Sequence, residues 1–126
     1  MRMELTLAIC SITVLAVAGS LLAGCGDTRS APSFGGNAAN GQELLGHYGC
    51  GACHYIPDVT GASGTAGPPL AELKKRSYLA GVIANTPDNL QSWIMHPTVI
   101  SPGTAMPDLG VSRAEARDIA AFLYGK

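Results

Sequence analysis

Five consecutive residues, Cys50-Gly51-Ala52-Cys53-His54, carry the clearest chemical signal in the sequence. Two thiols three positions apart can add to two vinyl groups on one edge of a porphyrin, and the imidazole that follows is then placed to bind the iron. The pattern therefore predicts a covalently attached c-type haem. Cys50 and Cys53 are the predicted attachment points, and His54 is the predicted proximal ligand.

Zinc sites and redox-active dithiols also use a Cys-x-x-Cys pair. A zinc site needs further ligands, and the two other cysteines, Cys10 and Cys25, lie in or beside an apolar leader. A thioredoxin-like dithiol lies near a βαβ pattern, and no such pattern surrounds this pair. Haem attachment is therefore the interpretation that the sequence favours.

The first 24 residues have the organisation of an export signal. From Leu5 to Ala23 the chain is mostly apolar, Arg2 precedes this run, and small residues follow it. Glu4 departs from the usual pattern because it offsets the positive charge of Arg2. We therefore expect residues 1–24 to be a signal peptide that directs the rest of the chain out of the cytoplasm.

The end of this leader, Leu22-Ala23-Gly24-Cys25, resembles the lipobox of bacterial lipoproteins. In that family the signal is removed before the cysteine, which then carries enough acyl chains for stable anchoring. A run of 19 mostly apolar residues can also just cross a bilayer, so an uncleaved membrane helix is the alternative. Both interpretations predict a domain held at a bacterial membrane, facing the periplasm or the cell exterior.

The rest of the chain divides into a tether and one small domain. Residues 25–36 are rich in small and polar residues, which predicts a flexible tether from the lipidated Cys25. Residues 37–126 are enough for one small domain, and a haem would supply much of its core. The formal net charge of the chain is −1, which argues against nucleic acid as a partner because phosphate binding needs a basic face.

Hydrophobic periodicity and capping residues predict an all-α domain with four helices. The expected helices begin at Asn37 or Asn40, at Pro69, at Pro87 and after Ser112. The first is expected to end near Gly49, the second to run through Arg76, the third to end before Pro97 and the fourth to end near Gly125. In the third helix the predicted buried residues are Leu90, Trp93 and Ile94, with Met95 away from the core. The last helix is expected to cross the first through an apolar face formed by Ala116, Ile119, Ala120, Phe122 and Leu123.

Met106 is the predicted second axial ligand. It precedes Pro107 in a stiff loop, and it lies 52 residues after His54, which leaves ample chain to reach the other face of a porphyrin. Thioether sulfur opposite histidine suits haem iron in an electron carrier and raises its potential. Three competitors are placed less well by their helices or by their distance from the attachment site: Met95, His96 and His47.

Taken in order, the Cys50 to His54 motif, the turn Gly67-Pro68-Pro69-Leu70 and Met106-Pro107 resemble class I cytochrome c over residues 37–126. Residues 69–123 are also similar to the cytochrome c domain fused to subunit II of some bacterial haem-copper oxidases. The resemblance implies a cytochrome c-like helical fold around one covalent haem c. It also implies that the Pro68 carbonyl accepts a hydrogen bond from Nδ1 of His54, which would orient the imidazole.

The function implied by the resemblance is one-electron transfer rather than enzymatic catalysis, in a respiratory chain. The expected partners are redox proteins: a haem-copper oxidase, and a quinol-oxidising complex or a dehydrogenase. Trp93, Tyr78 and Arg76 are candidate donors to the haem propionates. Two alternatives stay open: a haem sensor or peroxidase-like enzyme with an open sixth position, and an electron-transfer subunit of a dehydrogenase or oxidase complex.

Overall fold

The computed structural model describes residues 35–126, so the predicted signal peptide, Cys25 and most of the predicted tether lie outside the described residues. The described part has an all-α core, as predicted, with one added two-stranded hairpin. None of its helices is both long and apolar enough to cross a bilayer. Its elements are, in chain order, α1 (Ala38–His47), a 3₁₀ turn (Cys50–Ala52), a second 3₁₀ turn (Leu73–Lys75), β1 (Tyr78–Leu79), β2 (Ile83–Ala84), α2 (Pro87–Met95), α3 (Pro97–Ile100) and α4 (Arg113–Tyr124).

Helix α1 begins at the first of its two candidate caps. The Asn37 carboxamide oxygen accepts hydrogen bonds from the backbone N–H groups of Ala39 and Asn40 at 3.0 and 3.2 Å. The Asn40 side chain instead donates to a carboxylate oxygen of Asp118 at 2.7 Å. The helix ends close to Gly49, whose φ of 68° is the left-handed conformation that glycine adopts readily.

Helices α1 and α4 pack against each other, as predicted from their apolar faces. Helix α4 starts after Ser112, as predicted, with a capping box in which Ser112 and Glu115 exchange hydrogen bonds. All five residues of its predicted apolar face are buried. The closest approach is at Gly41, where an added Cβ would lie 2.5 Å from the backbone carbonyl carbon of Asp118. Glycine at this position therefore lets the two helix backbones come together.

The predicted helix from Pro69 through Arg76 is wrong. Only Leu73–Lys75 forms a 3₁₀ turn, and it follows Glu72, whose φ of 54° interrupts any regular helix. The Asn85 side-chain amide donates to the carbonyl oxygens of Leu73 and Arg76, at 2.7 and 2.8 Å. The Asn85 side chain thus satisfies the Arg76 carbonyl and adds a second hydrogen bond to the Leu73 carbonyl, which also accepts from the Arg76 N–H at 3.1 Å.

The hairpin of β1 and β2 was not expected from the sequence. Its register pairs Tyr78 with Ala84 and Leu79 with Ile83. The turn passes through Ala80 and Gly81, with φ values of 49° and 74°. Two successive positive φ values suit the right-handed twist of a tight hairpin, so the three-residue loop of Ala80, Gly81 and Val82 can close strands this short.

Helix α2 follows its predicted start but not its predicted burial. Leu90 and Ile94 are buried, whereas Trp93 is only partly buried against the core. Met95, expected to point away from the core, is 6% exposed, so that prediction is wrong. Because Met95 is the last residue of α2 and the chain turns at once into α3, helical spacing alone did not determine its surroundings.

Candidate functional site

The Cys50 to His54 motif folds as a single tight turn directly after α1. The chain leaves α1 through the left-handed Gly49 and enters the 3₁₀ turn at Cys50. The carbonyl oxygen of Cys50 accepts hydrogen bonds from the backbone N–H groups of Cys53 and His54, at 3.3 and 3.0 Å. Backbone hydrogen bonds therefore hold both cysteines and the histidine on one turn of chain.

A neighbouring loop packs so closely on this turn that it requires glycine at two positions. A Cβ on Gly51, between the two cysteines, would lie 2.6 Å from the Cα of Ala62. A Cβ on Gly64 would lie 2.5 Å from the carbonyl carbon of Ala52, and the Gly64 N–H donates to the Gly51 carbonyl at 3.0 Å. Neither contact leaves room for a side chain, so the backbone of the loop at Ala62 and Gly64 packs directly against the motif.

The His54 ring is held in one orientation. Its Nδ1 lies 2.7 Å from the carbonyl oxygen of Pro68, the pair that the resemblance implied. A Cβ on Gly67 would lie 2.7 Å from the same nitrogen and closer still to Cε1, so the backbone of Gly67 lies directly against the ring. Within residues 35–126, the other ring nitrogen, Nε2, has no hydrogen-bond partner. When Nδ1 carries the proton that Pro68 accepts, Nε2 presents its lone pair to a metal.

The Pro68 carbonyl is itself fixed on both sides. The Gly67 N–H donates to the Cys53 carbonyl at 2.8 Å, and the Leu70 N–H donates to the Tyr55 carbonyl at 2.8 Å. A guanidinium nitrogen of Arg76 donates to the carbonyl of Pro69, the neighbour of Pro68. The segment that orients His54 is therefore attached to the motif and to the loop that follows it.

The two cysteines have different surroundings. Cys50 is partly buried against the hydrophobic core, and Cys53 is exposed. Burial raises the pKa of the Cys50 thiol above its ordinary value. Redox-active dithiols need the opposite shift, because their nucleophile is a thiolate with a lowered pKa. The electrostatics of Cys50 therefore do not favour a redox dithiol.

The remaining predicted site residues lie on three other elements. Met106 is partly buried in the loop between α3 and α4, where its backbone N–H donates to Thr104 Oγ1 at 3.2 Å. Trp93 lies on α2, partly buried, and Tyr78 lies on β1 with 62% of its surface exposed. Their contacts with haem, and the iron–sulfur bond of Met106, stay predictions.

Sequence reasoning missed the steric role of glycine at this site. Gly67 was noticed only as part of a proline-containing turn, and Gly51 only as a spacer between cysteines. A weak signal was present, since glycine at these positions allows a backbone or ring to approach closely. Asn85 lies two residues before α2, and the partners of its side chain, Leu73, Arg76 and Tyr124, are too far away in sequence for a local pattern to identify them.

The residues of this site fit a covalently attached haem. Two thiols on one turn, one half-buried and one exposed, can bond to one porphyrin edge, and the His54 Nε2 is left without a protein partner. A small helical domain with a Cys-x-x-Cys-His turn, whose histidine is oriented by a proline carbonyl, has the features expected of a c-type cytochrome.

The chain belongs to the cytochrome c family, since the family model described as cytochrome c matches residues 38–125. It is 32% identical over 71 residues to cytochrome c oxidase subunit 2 of Alkalihalophilus pseudofirmus, a match covering 56% of this chain and 20% of that protein. It is 28% identical over 91 residues to cytochrome c oxidase subunit 2 of Bacillus subtilis, a match covering 71% of this chain and 26% of that protein.

These matches confirm the resemblance to cytochrome c and to oxidase subunit II. Membership of the family implies a covalently bound haem c and a role in electron transfer. The matches cover between 20% and 26% of the length of the two relatives. The activity of the complete oxidase subunits therefore enters only as a basis for proposal.

Proposed function

We propose that this chain is a membrane-anchored monohaem cytochrome c that passes single electrons in a respiratory chain, to or from a terminal oxidase. The observation that carries the proposal is the His54 ring, whose Nδ1 lies 2.7 Å from the Pro68 carbonyl. This contact leaves Nε2 for iron, and it keeps the ring from rotating as the charge on the iron changes. A haem held in this way supplies one-electron chemistry.

Each residue of the site has a separate role in this proposal. Cys50 and Cys53 attach the cofactor, so that it stays in place through repeated electron transfer. His54 would hold the iron through Nε2, and its bond to Pro68 raises the donor strength of that nitrogen. Partial burial of Cys50 against the core excludes water from one side of the attachment site, whereas the exposed Cys53 lies where a redox partner can approach.

Met106 is proposed as the sixth ligand. It is partly buried in a loop that carries few other side chains able to bind iron, and Pro107 restricts its backbone. Met95, its competitor, is 6% exposed within the hydrophobic core, where protein already surrounds its side chain. A thioether ligand favours the reduced state and leaves no open position for a substrate.

The membrane anchor and the partners are proposed from sequence. Residues 1–24 would be removed as a signal peptide, Cys25 would carry the lipid, and residues 25–36 would let the domain move near the membrane surface on its outer side. The partners would be a haem-copper oxidase and a quinol-oxidising complex or dehydrogenase. The similarity to subunit 2 of two cytochrome c oxidases supports an oxidase as one of them.

A redox titration with a matched pair of variants tests the proposal. We expect the wild type to titrate as one one-electron centre, to show a thioether-to-iron charge-transfer band, and to resist carbon monoxide at neutral pH. Met106→Leu should keep the haem, lose the band, lower the potential and bind carbon monoxide. Met95→Leu makes the same exchange inside the core and should leave all three properties unchanged. Carbon monoxide binding by the wild type would instead favour the sensor or enzyme.

A further inference from the structure

Asn85 joins three parts of the chain that are distant in sequence. Its side-chain amide donates to the carbonyl oxygens of Leu73 and Arg76, at 2.7 and 2.8 Å, which uses both amide hydrogens. Its side-chain oxygen accepts a hydrogen bond from the Tyr124 hydroxyl at 2.5 Å. Because Tyr124 is a buried residue of α4, this contact connects the last helix with the backbone at Arg76.

Arg76 continues this connection toward the histidine. Its guanidinium donates to the carbonyl oxygen of Pro69, while the preceding carbonyl, that of Pro68, lies 2.7 Å from His54 Nδ1. Because Pro69 has no N–H, hydrogen bonds can hold the Pro68–Pro69 peptide only through its carbonyl oxygen, which faces His54. Arg76 restrains the next peptide along the chain, Pro69–Leu70, and so limits rotation of the neighbouring carbonyl that orients the imidazole.

We propose that Arg76 and Asn85 are positioning residues for His54, and that Tyr124 orients the Asn85 amide within the same hydrogen-bonded chain. This inference rests on the proposed function, because it concerns the direction in which Nε2 faces the iron. Hydrogen bonds beyond the ligand fix its ring and tune its basicity, so weakening the chain should loosen the bond between His54 and Pro68.

Arg76 was also predicted to contact a haem propionate, and the two roles need different measurements. A guanidinium has five N–H donors, so the bond to Pro69 leaves others for a propionate. A change in potential alone would not separate the roles. The positioning role is shown instead by a weaker hydrogen bond between His54 and Pro68. It is also shown by an effect of Tyr124→Phe, because the Tyr124 hydroxyl binds Asn85.

The experiment uses the reduced, haem-loaded protein. Proton NMR in deuterated water gives the exchange rate of the His54 Nδ1 hydrogen, and the backbone amides of Leu45 and Ile119 report opening of the core in the same sample. The variants are Arg76→Met, which removes the donors, Arg76→Lys, which keeps one charged donor, and Tyr124→Phe. Arg113→Met is the control, because Arg113 is an exposed arginine at the start of α4.

We expect the His54 hydrogen to exchange at least about tenfold faster in Arg76→Met, equivalent to about 1.4 kcal/mol, while the two core amides change by less than about twofold. The rate should be partly restored in Arg76→Lys, raised several-fold in Tyr124→Phe and unchanged in Arg113→Met. If Arg76→Met does not fold, the test is made on Tyr124→Phe, by comparing exchange of the His54 hydrogen with exchange of the two core amides.

Equal acceleration of the His54 hydrogen and the core amides would overturn the inference, because it would show only a loss of stability. Unchanged His54 exchange in Arg76→Met and Tyr124→Phe would overturn it too. Failure of the proposed function looks different: the wild type itself would then carry no covalent haem, or would carry haem that binds carbon monoxide. A haem-loaded wild type that resists carbon monoxide, with insensitive variants, would refute only the positioning role.

Discussion

Gly67→Ala tests directly whether the backbone beside His54 determines the orientation of the ring. The new methyl group would lie 2.7 Å from Nδ1 and 3.0 Å from Nε2 of the imidazole. The Gly67 backbone cannot move away easily, because its N–H is bonded to the Cys53 carbonyl at 2.8 Å and proline follows it. We therefore expect the imidazole, rather than the chain, to move.

The expected cost follows from these distances. Ordinary contacts of a Cβ begin at 3.4 Å, so the methyl carbon and Nδ1 must separate by about 0.7 Å. A shift of that size along the hydrogen bond would stretch the 2.7 Å contact with Pro68 to about 3.4 Å, beyond the normal limit of about 3.2 Å. Overpacking costs about 1–3 kcal/mol and the lost bond about 1 kcal/mol. We expect a loss of about 2–4 kcal/mol in unfolding free energy.

Denaturant unfolding of the haem-loaded protein, followed by haem absorbance, measures this loss. Gly46→Ala is the matched control: the same substitution in α1, where an added Cβ meets nothing within 4 Å. It should stabilise the protein by about 0.5–1 kcal/mol, since alanine is the better helix former. A Gly67→Ala protein as stable as the wild type, with an unchanged His54 Nδ1 proton signal, would refute the reasoning.

Three further predictions concern the framework. Gly41→Ala should lower the unfolding free energy by about 3 kcal/mol in urea, because the methyl carbon would lie 2.5 Å from the Asp118 carbonyl carbon. Ala80→Gly should raise it by about 0.5–1 kcal/mol, because Ala80 has a φ of 49°. The Asn37 N–H and the Asn40 amide donate hydrogen bonds to Asp118 and hold its pKa below the ordinary value of 3.8. These bonds should stabilise the fold above that pH, and the stability should be lost as the pH falls through the lower folded-state pKa. Urea unfolding midpoints measured at a series of pH values test this.

Each of these has a result that would contradict it. Wild-type stability of Gly41→Ala would mean that α1 and α4 do not approach closely at that residue. A destabilised Ala80→Gly would mean that the hairpin turn does not use the left-handed conformation. In Asp118→Asn the loss of stability in acid should be shallower than in the wild type, because the variant lacks the carboxyl whose pKa is lowered. An unchanged profile in Asp118→Asn would contradict the assigned cause.

Local signals in the sequence predicted those parts of the fold that local interactions determine. The cap at Asn37, the capping box of Ser112 and Glu115, and the buried face of α4 all involve residues within a few positions of one another. The Cys50 to His54 motif is local in the same way, and its turn is closed by its own backbone bonds. At these sites the residues that form the sequence pattern are also the residues that make the stabilising contacts.

The predictions that failed depend on distant partners. The helix expected from Pro69 is interrupted at Glu72, whose φ is 54°, and the Leu73 and Arg76 carbonyls that follow accept hydrogen bonds from the Asn85 amide. Met95 was assigned by helical spacing, which does not apply at a helix end where the chain turns into α3. The Asn40 side chain donates a hydrogen bond to Asp118, which lies 78 residues later in the sequence, and no local pattern identifies such a pair.

The central claim is that one haem is bonded to both cysteines of the motif, and peptide mass spectrometry tests it most directly. Trypsin should release residues 30–74 as one peptide, since no lysine or arginine lies between Arg29 and Lys74. We expect this peptide, from protein made in a host that matures c-type cytochromes, to carry the mass of one haem and to absorb as a haemochrome in pyridine. The unmodified peptide mass, with two free thiols at Cys50 and Cys53, would contradict it.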